Sequence, residues 1–205
     1  MRLLAKTVST VWHPLLMPTY IFAFVFFVIP ELVAPIRSEA FVPLLSLVFI
    51  STFLIPVFVV LILVKMEFVS EINIDKRKDR ILPHVFSSLI YVAVTWFFYS
   101  KLAAVPFMYV LISSISCCMV AVTVINLFWK ISAHSTAIGG LFSFVVFYYV
   151  ANSSFQGFYL IVIVLLISGI VMASRLLLDV HTLAQVCAGF VLGTIVGMLG
   201  LSYVL

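Results

Sequence analysis

The sequence predicts an all-α, polytopic transmembrane helical bundle of six to seven spans, and two observations carry that expectation. Of the 205 residues, 65% are hydrophobic and only 9% charged, with a mean hydropathy of +1.35; soluble domains are roughly 45–50% apolar. The apolar residues are also grouped in runs of bilayer length, since a hydrocarbon core about 30 Å thick takes about 20 residues of helix.

Seven candidate helices follow, at about 14–34, 41–65, 84–100, 105–128, 134–152, 156–173 and 182–204. The first contains Pro14, Pro18 and Pro30, which remove backbone donors and make it kinked or re-entrant. The second is bounded by "PELVAPIRSEA" and "EINIDKRKDRILP", and the later ones by "SKLAAVP", "KISAHS", "ANSSFQG" and "SRLLLDVH", all rich in turn-forming or charged residues. Arg2 and Lys6 ahead of the first run give it the look of a signal peptide, but no small-residue cleavage site follows, so it reads as a retained segment. One domain, 1–205, is expected, with no soluble domain, long linker or repeat.

The net charge of +4 is spread over lipid-soluble stretches with no interleaving of basic and aromatic surface, which excludes nucleic acid as a partner. Cys117, Cys118 and Cys187 all lie inside apolar runs and are odd in number, so they read as small buried hydrophobes rather than a disulfide framework.

Counting crossings sorts the polar breaks. Two helices separate "DKRKDRILP" from "KISAHS" and two more separate that from "SRLLLDVH", so all three stations emerge on one side of the membrane. Of the eleven Lys and Arg, only Arg37 and Lys101 fall on the other side. Taken literally, the positive-inside rule makes the station side cytoplasmic.

The first station holds Lys76, Arg77, Lys78 and Arg80, with Asp75 and Asp79 among them. If helical geometry extends back through it, Arg77, Arg80 and His84 share one face, where guanidinium forks suit phosphate oxygens; the alternative is a juxtamembrane loop touching anionic headgroups. At the second station Ser132 is a good helix N-cap, the helix it starts presents unpaired N–H groups to an anion, and His134 lies in that first turn. At the third, Arg175 precedes His181 by six positions, and His181, Gln185, Gly189, Gly193 and Gly197 form an i+4 row. The glycines read as a close helix-packing seam.

Two imidazoles and several guanidiniums at one aqueous edge suit phosphoryl transfer: one histidine attacks phosphorus, the other protonates the leaving oxygen, and arginines neutralise the equatorial oxygens. No acidic cluster for magnesium is evident and a third zinc ligand of sensible spacing is missing, so no metal or other cofactor is expected.

These residues resemble the membrane branch of the type 2 phosphatidic acid phosphatase superfamily, which shares its active site with the vanadium haloperoxidases. The family pattern is K-x6-R-P, P-S-G-H and S-R-x5-H-x3-D. "SRLLLDVHTLAQVCAG" matches the third at Ser174, Arg175 and His181 and runs on through Val186 and Gly189. "ISAHS" keeps Ser132 and His134 of the second, with Ile131 and Ala133 in place of its proline and glycine. "DKRKDRILP" keeps the proline of the first, Pro83, but has Leu82 before it and no lysine at the family spacing; Arg77 and Arg80, with Lys76, are substituted for the phosphate-holding pair. The resemblance covers about residues 76–195.

What it implies is metal-independent hydrolysis of a lipid phosphate or pyrophosphate, such as undecaprenyl pyrophosphate, phosphatidylglycerol phosphate or phosphatidate, through a phosphohistidine. His181 would be the nucleophile, His134 the general acid, Arg175 with the first-station cations the phosphate clamp, and Ser132 an oxyanion contact. The family's aspartate is here Gln185, whose amide orients an imidazole without stabilising its charge; in a serine-protease triad the comparable change costs about 10⁴ in kcat. Asp179 is the nearby carboxylate that would compensate. The partner implied is a phosphorylated membrane lipid, in a bacterial inner membrane with the site on the extracytoplasmic face. The second reading is a catalytically weak relative that binds phosphorylated lipid or a partner protein without hydrolysis, and the third a small transporter.

Overall fold

The computed structural model describes residues 1–70, 76–152 and 155–204, and within them the regular structure is helical. Six helices are long and apolar enough to cross a membrane, and large apolar side chains such as Phe58, Leu89, Trp96, Leu166 and Leu199 face outward along them. A surface of that kind is stable only against lipid, so the chain is an integral, multi-pass membrane protein. Cys117 and Cys187 are exposed on that outer surface rather than buried in the core.

The first apolar run departs from the expected single span. Within 14–34 lies only a shorter apolar helix, α2 (Met17–Val28), and ahead of it stands an amphipathic helix, α1 (Arg2–Val11), that was not among the seven expected; the two are separated at His13–Pro14. The physical reason is the proline, which restricts the residue before it to extended conformations and ends a helix there. Twelve residues of helix rise only about 18 Å, shorter than the six candidate spans, and Ile29 with the 3-10 turn Pro30–Val33 carries the chain on from its end. Phe22 stacks edge-on against Phe98 and Phe26 lies flat on Phe41, while Val33 is fully buried in the cluster that holds Val105 and Phe107. The far end of α2 thus lies beside the far ends of the later helices, and the predicted parity is kept.

Helices α3 (Phe41–Phe49) and α4 (Ile55–Lys65) form one rod through a π-helical segment, Ile50–Leu54. Pro56 has no N–H to give the carbonyl of Thr52 four residues back; the Tyr91 hydroxyl donates to that carbonyl at 3.0 Å instead. Next come α5 (Ile81–Lys101), α6 (Pro106–Phe128), α7 (Ala133–Asn152), α8 (Phe155–Leu177) and α9 (Leu183–Leu201). Hydroxyl pairs tie α5 to α6, Ser88 with Thr123 and Thr95 with Ser116, each at 2.7 Å, the usual interhelical bond where no water competes.

The most intimate pair is α7 with α9, and the glycine row is the reason. A Cβ placed at Gly189 would stand 2.6 Å from the Ser132 carbonyl, and one at Gly193 would run into the Thr136 carbonyl. Backbones this close fix the register of the two helix N-termini, which carry His134 and His181.

Candidate functional site at one end of the bundle

The third station is a locally closed device. Helix α8 stops with Asp179 at a positive φ of 57°, while the Asp179 amide bonds to Leu176 O at 2.9 Å and the Val180 amide to Arg175 O at 3.4 Å. That pair is the Schellman pattern, and aspartate is among the few side chains that tolerate the left-handed position. Two residues on, Thr182 begins α9 with a capping box: its side chain accepts the Gln185 amide, and Gln185 Oε1 accepts the Thr182 amide at 3.2 Å. His181 is thereby held between two helix ends that its own neighbours define.

Gln185 Oε1 also lies 2.9 Å from His181 Nδ1, and Arg80 Nη1 lies 3.3 Å from Nε2. An amide oxygen only accepts and a guanidinium only donates, so the imidazole carries its hydrogen on Nδ1 and its lone pair on Nε2. Burial, and then the Arg80 guanidinium, push the His181 pKa down to about 3, against a smaller upward effect of the Gln185 bond. The ring is neutral at pH 7.

Ser132 N-caps α7 as expected: its Oγ accepts the Ser135 amide at 3.3 Å and the Ser135 hydroxyl at 3.0 Å. It is fully buried and its own amide bonds to Gln185 O at 3.4 Å, so it joins the two helix starts. His134, in the first turn, donates from Nε2 to the Ser9 carbonyl at 3.0 Å, an acceptor from the end of α1. The Ser9 hydroxyl in turn pairs with Ser174 at 3.1 Å.

A cavity of about 640 Å³ opens beside these groups. Lys6, Arg80 and Arg175 line it at this end, with His13, His84 and His134, and no Asp or Glu lines it among the described residues. Farther in, the walls are apolar, from Met17 and Ile21 to Leu111, Phe144 and Leu201. Arg80 and Arg175 are 7% and 8% exposed, which makes them buried cations rather than a solvated basic face. His181 is not itself a lining residue, but its Nε2 lies 3.3 Å from Arg80, which is.

The structure therefore brings Arg80, Arg175, His134, Ser132, His181 and Gln185 to one place, and leaves three sequence candidates outside it. Arg77 turns away and donates to the carbonyls of Asn126, at 3.1 Å, and Leu127, while Asn126 Nδ2 returns a bond to Arg77 O at 3.2 Å; it seals the end of α6. The expected shared face fails because Lys78–Arg80 is a 3-10 turn, so α-helical spacing does not extend back to Arg77. Lys76 is exposed. Asp179 points outward to Arg2 at 2.9 Å, with both side chains about three-quarters exposed. Asp75 lies outside the described residues.

His13 and the Ser9 carbonyl belong to the site and no motif announced them. The signal was there in "STVWHP": an ionisable residue at the proline break, one crossing before the far side, falls at the same end as the stations. Among the described residues no three His, Cys, Asp or Glu are grouped as metal ligands. Fold and site together define a multi-pass membrane protein whose helices converge at one end on a cationic, histidine-bearing cavity. No family model, curated protein or solved structure matches the chain.

Proposed function

We propose that the protein is a membrane lipid phosphatase, acting on a lipid phosphate or pyrophosphate through a phosphohistidine. The observation that carries this reading is the cavity itself: Lys6, Arg80 and Arg175 at one end, an apolar interior behind them, and His181 Nε2 within 3.3 Å of the Arg80 guanidinium. Two buried guanidiniums in the wall favour an anionic headgroup, and the apolar depth favours a hydrocarbon tail.

In the first step Arg80 passes from His181 Nε2 to the phosphoryl oxygens, which Arg175 also holds, and the freed Nε2 lone pair forms the N–P bond as the P–O ester bond breaks, while His134 carries a proton from the monoanionic phosphate to the departing oxygen. Water then breaks the N–P bond, its oxygen going to phosphate and its proton to His134. With its Nε2–H held by Ser9, His134 handles that proton at Nδ1. Gln185 fixes the His181 tautomer throughout.

The test is phosphate release by detergent-purified protein from dodecyl phosphate, phosphatidate and a prenyl diphosphate, with chelator present. Wild type releases phosphate; His181→Ala and His134→Ala do not. Release abolished by chelator would instead indicate a metal mechanism. A second reading, binding without hydrolysis, draws on Gln185, since an uncharged partner leaves a developing imidazolium without a counter-charge; folded wild type that binds but releases nothing decides for it. We assign the cavity end to the extracytoplasmic face of a bacterial inner membrane. In a background lacking the three native cysteines, Lys78→Cys but not Ala103→Cys is then labelled from outside intact cells.

A further inference from the structure

The α1–α2 junction places a third imidazole against the site. The His13 ring meets the His134 ring edge-on, centroids 5.5 Å apart, and lines the same cavity as Arg175 and Lys6. Its Nδ1 accepts the Leu15 amide at 3.3 Å, a local turn imposed by Pro14. With Nδ1 occupied as an acceptor, the ring's hydrogen resides on Nε2. No described residue takes that hydrogen, and Nε2 is absent from the buried polar atoms that lack a partner, so it opens onto the cavity. Burial and then the Arg175 guanidinium lower the His13 pKa to about 4, which keeps the ring neutral at pH 7.

Two contacts make this placement firm rather than incidental. The Ser9 carbonyl holds His134 and the Ser9 hydroxyl holds Ser174 beside Arg175, while the exposed Arg2–Asp179 pair adds little. Helix α1 is thus tied to each of the two histidine-bearing junctions, and His13 follows it directly.

We propose that His13 is a phosphoryl-binding residue, a neutral Nε2–H donor that the N-terminal segment adds to the cations of the cavity. This rests on the phosphoryl-binding reading of the same site and goes beyond it, because it assigns substrate recognition to a segment outside the three motifs. The ligand chemistry is a phosphoryl oxygen, whether of free phosphate or of a lipid headgroup.

The experiment compares wild type, His13→Phe and His13→Gln in neutral detergent, titrated calorimetrically with inorganic phosphate and, separately, with dodecyl phosphate. Phenylalanine keeps a ring against His134 without a donor, and glutamine keeps a donor without a ring. His13→Phe weakens binding by about tenfold or more, the factor for a hydrogen bond to a charged group, and His13→Gln recovers most of it. A loss confined to dodecyl phosphate assigns the donor to lipid-linked phosphate. Unchanged affinity in His13→Phe for both ligands overturns the proposal.

Nitrogen-15 spectra of histidine-labelled wild type provide a check free of folding effects: His13 shows the Nε2–H tautomer and its resonance moves on addition of phosphate. A shift at His181 with none at His13 overturns the assignment to His13 alone. Binding that depends on His13 without any hydrolysis overturns the phosphatase reading alone, and no binding of either ligand by wild type overturns both.

Discussion

The α8–α9 and α1–α2 junctions each deliver an imidazole to the same end of the bundle, His181 and His13, by different routes. At α8–α9 the backbone path is set locally: the Schellman bonds join residues 175 to 180, and the capping box joins 182 to 185. At α1–α2 the only local bond to an imidazole is that from the Leu15 amide to His13, and the contact that matters for His134 comes from Ser9, 125 positions away. The first junction is a self-contained cassette that any sequence reader can recognise by spacing. The second acquires its meaning only when α1 docks on α8.

The largest expected effect separates the roles of the two imidazoles. His181→Ala lowers kcat for dodecyl phosphate by at least about 10³-fold, as removal of a nucleophile does, whereas His13→Phe raises KM with a much smaller change in kcat. Equal kcat losses would make the two junctions equivalent and break the comparison.

Next is the seam that holds the cassette against α7. Gly193→Ala forces a methyl into the Thr136 carbonyl and destabilises the protein by about 1–3 kcal/mol, read as a fall of several degrees in the thermal midpoint. Because the same seam keeps Ser132 bonded to Gln185, turnover falls with it, while a substitution at the outward-facing Leu199 changes neither.

A smaller effect is the dependence of stability on pH. His181 and His13 titrate near 3 and 4 in the fold and near 6.5 when unfolded. Between those values the unfolded chain binds more protons, so stability falls as pH is lowered from about 6.5 toward 3. His13→Phe removes its share of that slope between about 6.5 and 4, which thermal midpoints across the range would register; Gln185→Glu raises the His181 midpoint, since a carboxylate supports the imidazolium.

The smallest effect tests Asp179. Asp179→Asn removes an exposed ion pair of little energetic weight but keeps a side chain suited to the left-handed turn, so turnover and thermal midpoint stay within error of wild type. Gln185→Ala, by contrast, lowers kcat about tenfold through the lost Nδ1 bond. A large loss in Asp179→Asn would restore the carboxylate to the mechanism.

Much of the site was legible because its parts are short-range in sequence. The spacing from Arg175 to His181 to Gln185 is the spacing of a helix stop, a turn and a capping box, and Ser132 before an apolar run is a cap wherever it occurs. Arg77 was misplaced because whether α-helical spacing continues through residues 78–80 depends on a 3-10 turn that composition does not reveal. His13 was missed because its functional neighbours lie in α7 and α8, and nothing local marks it beyond a proline.

By itself, the sequence determined that the chain is a membrane bundle of six to seven apolar helices and which polar breaks share an end of it. Those properties follow from hydrophobic length and helix parity, which the bilayer enforces on each segment separately. Only the tertiary structure decided which cations enter the cavity and which seal a helix end, and that the N-terminal helix completes the site. Guanidinium and imidazole partners come from elements far apart in the chain, Arg80 before α5 for His181 and Ser9 of α1 for His134, and no local pattern pairs them.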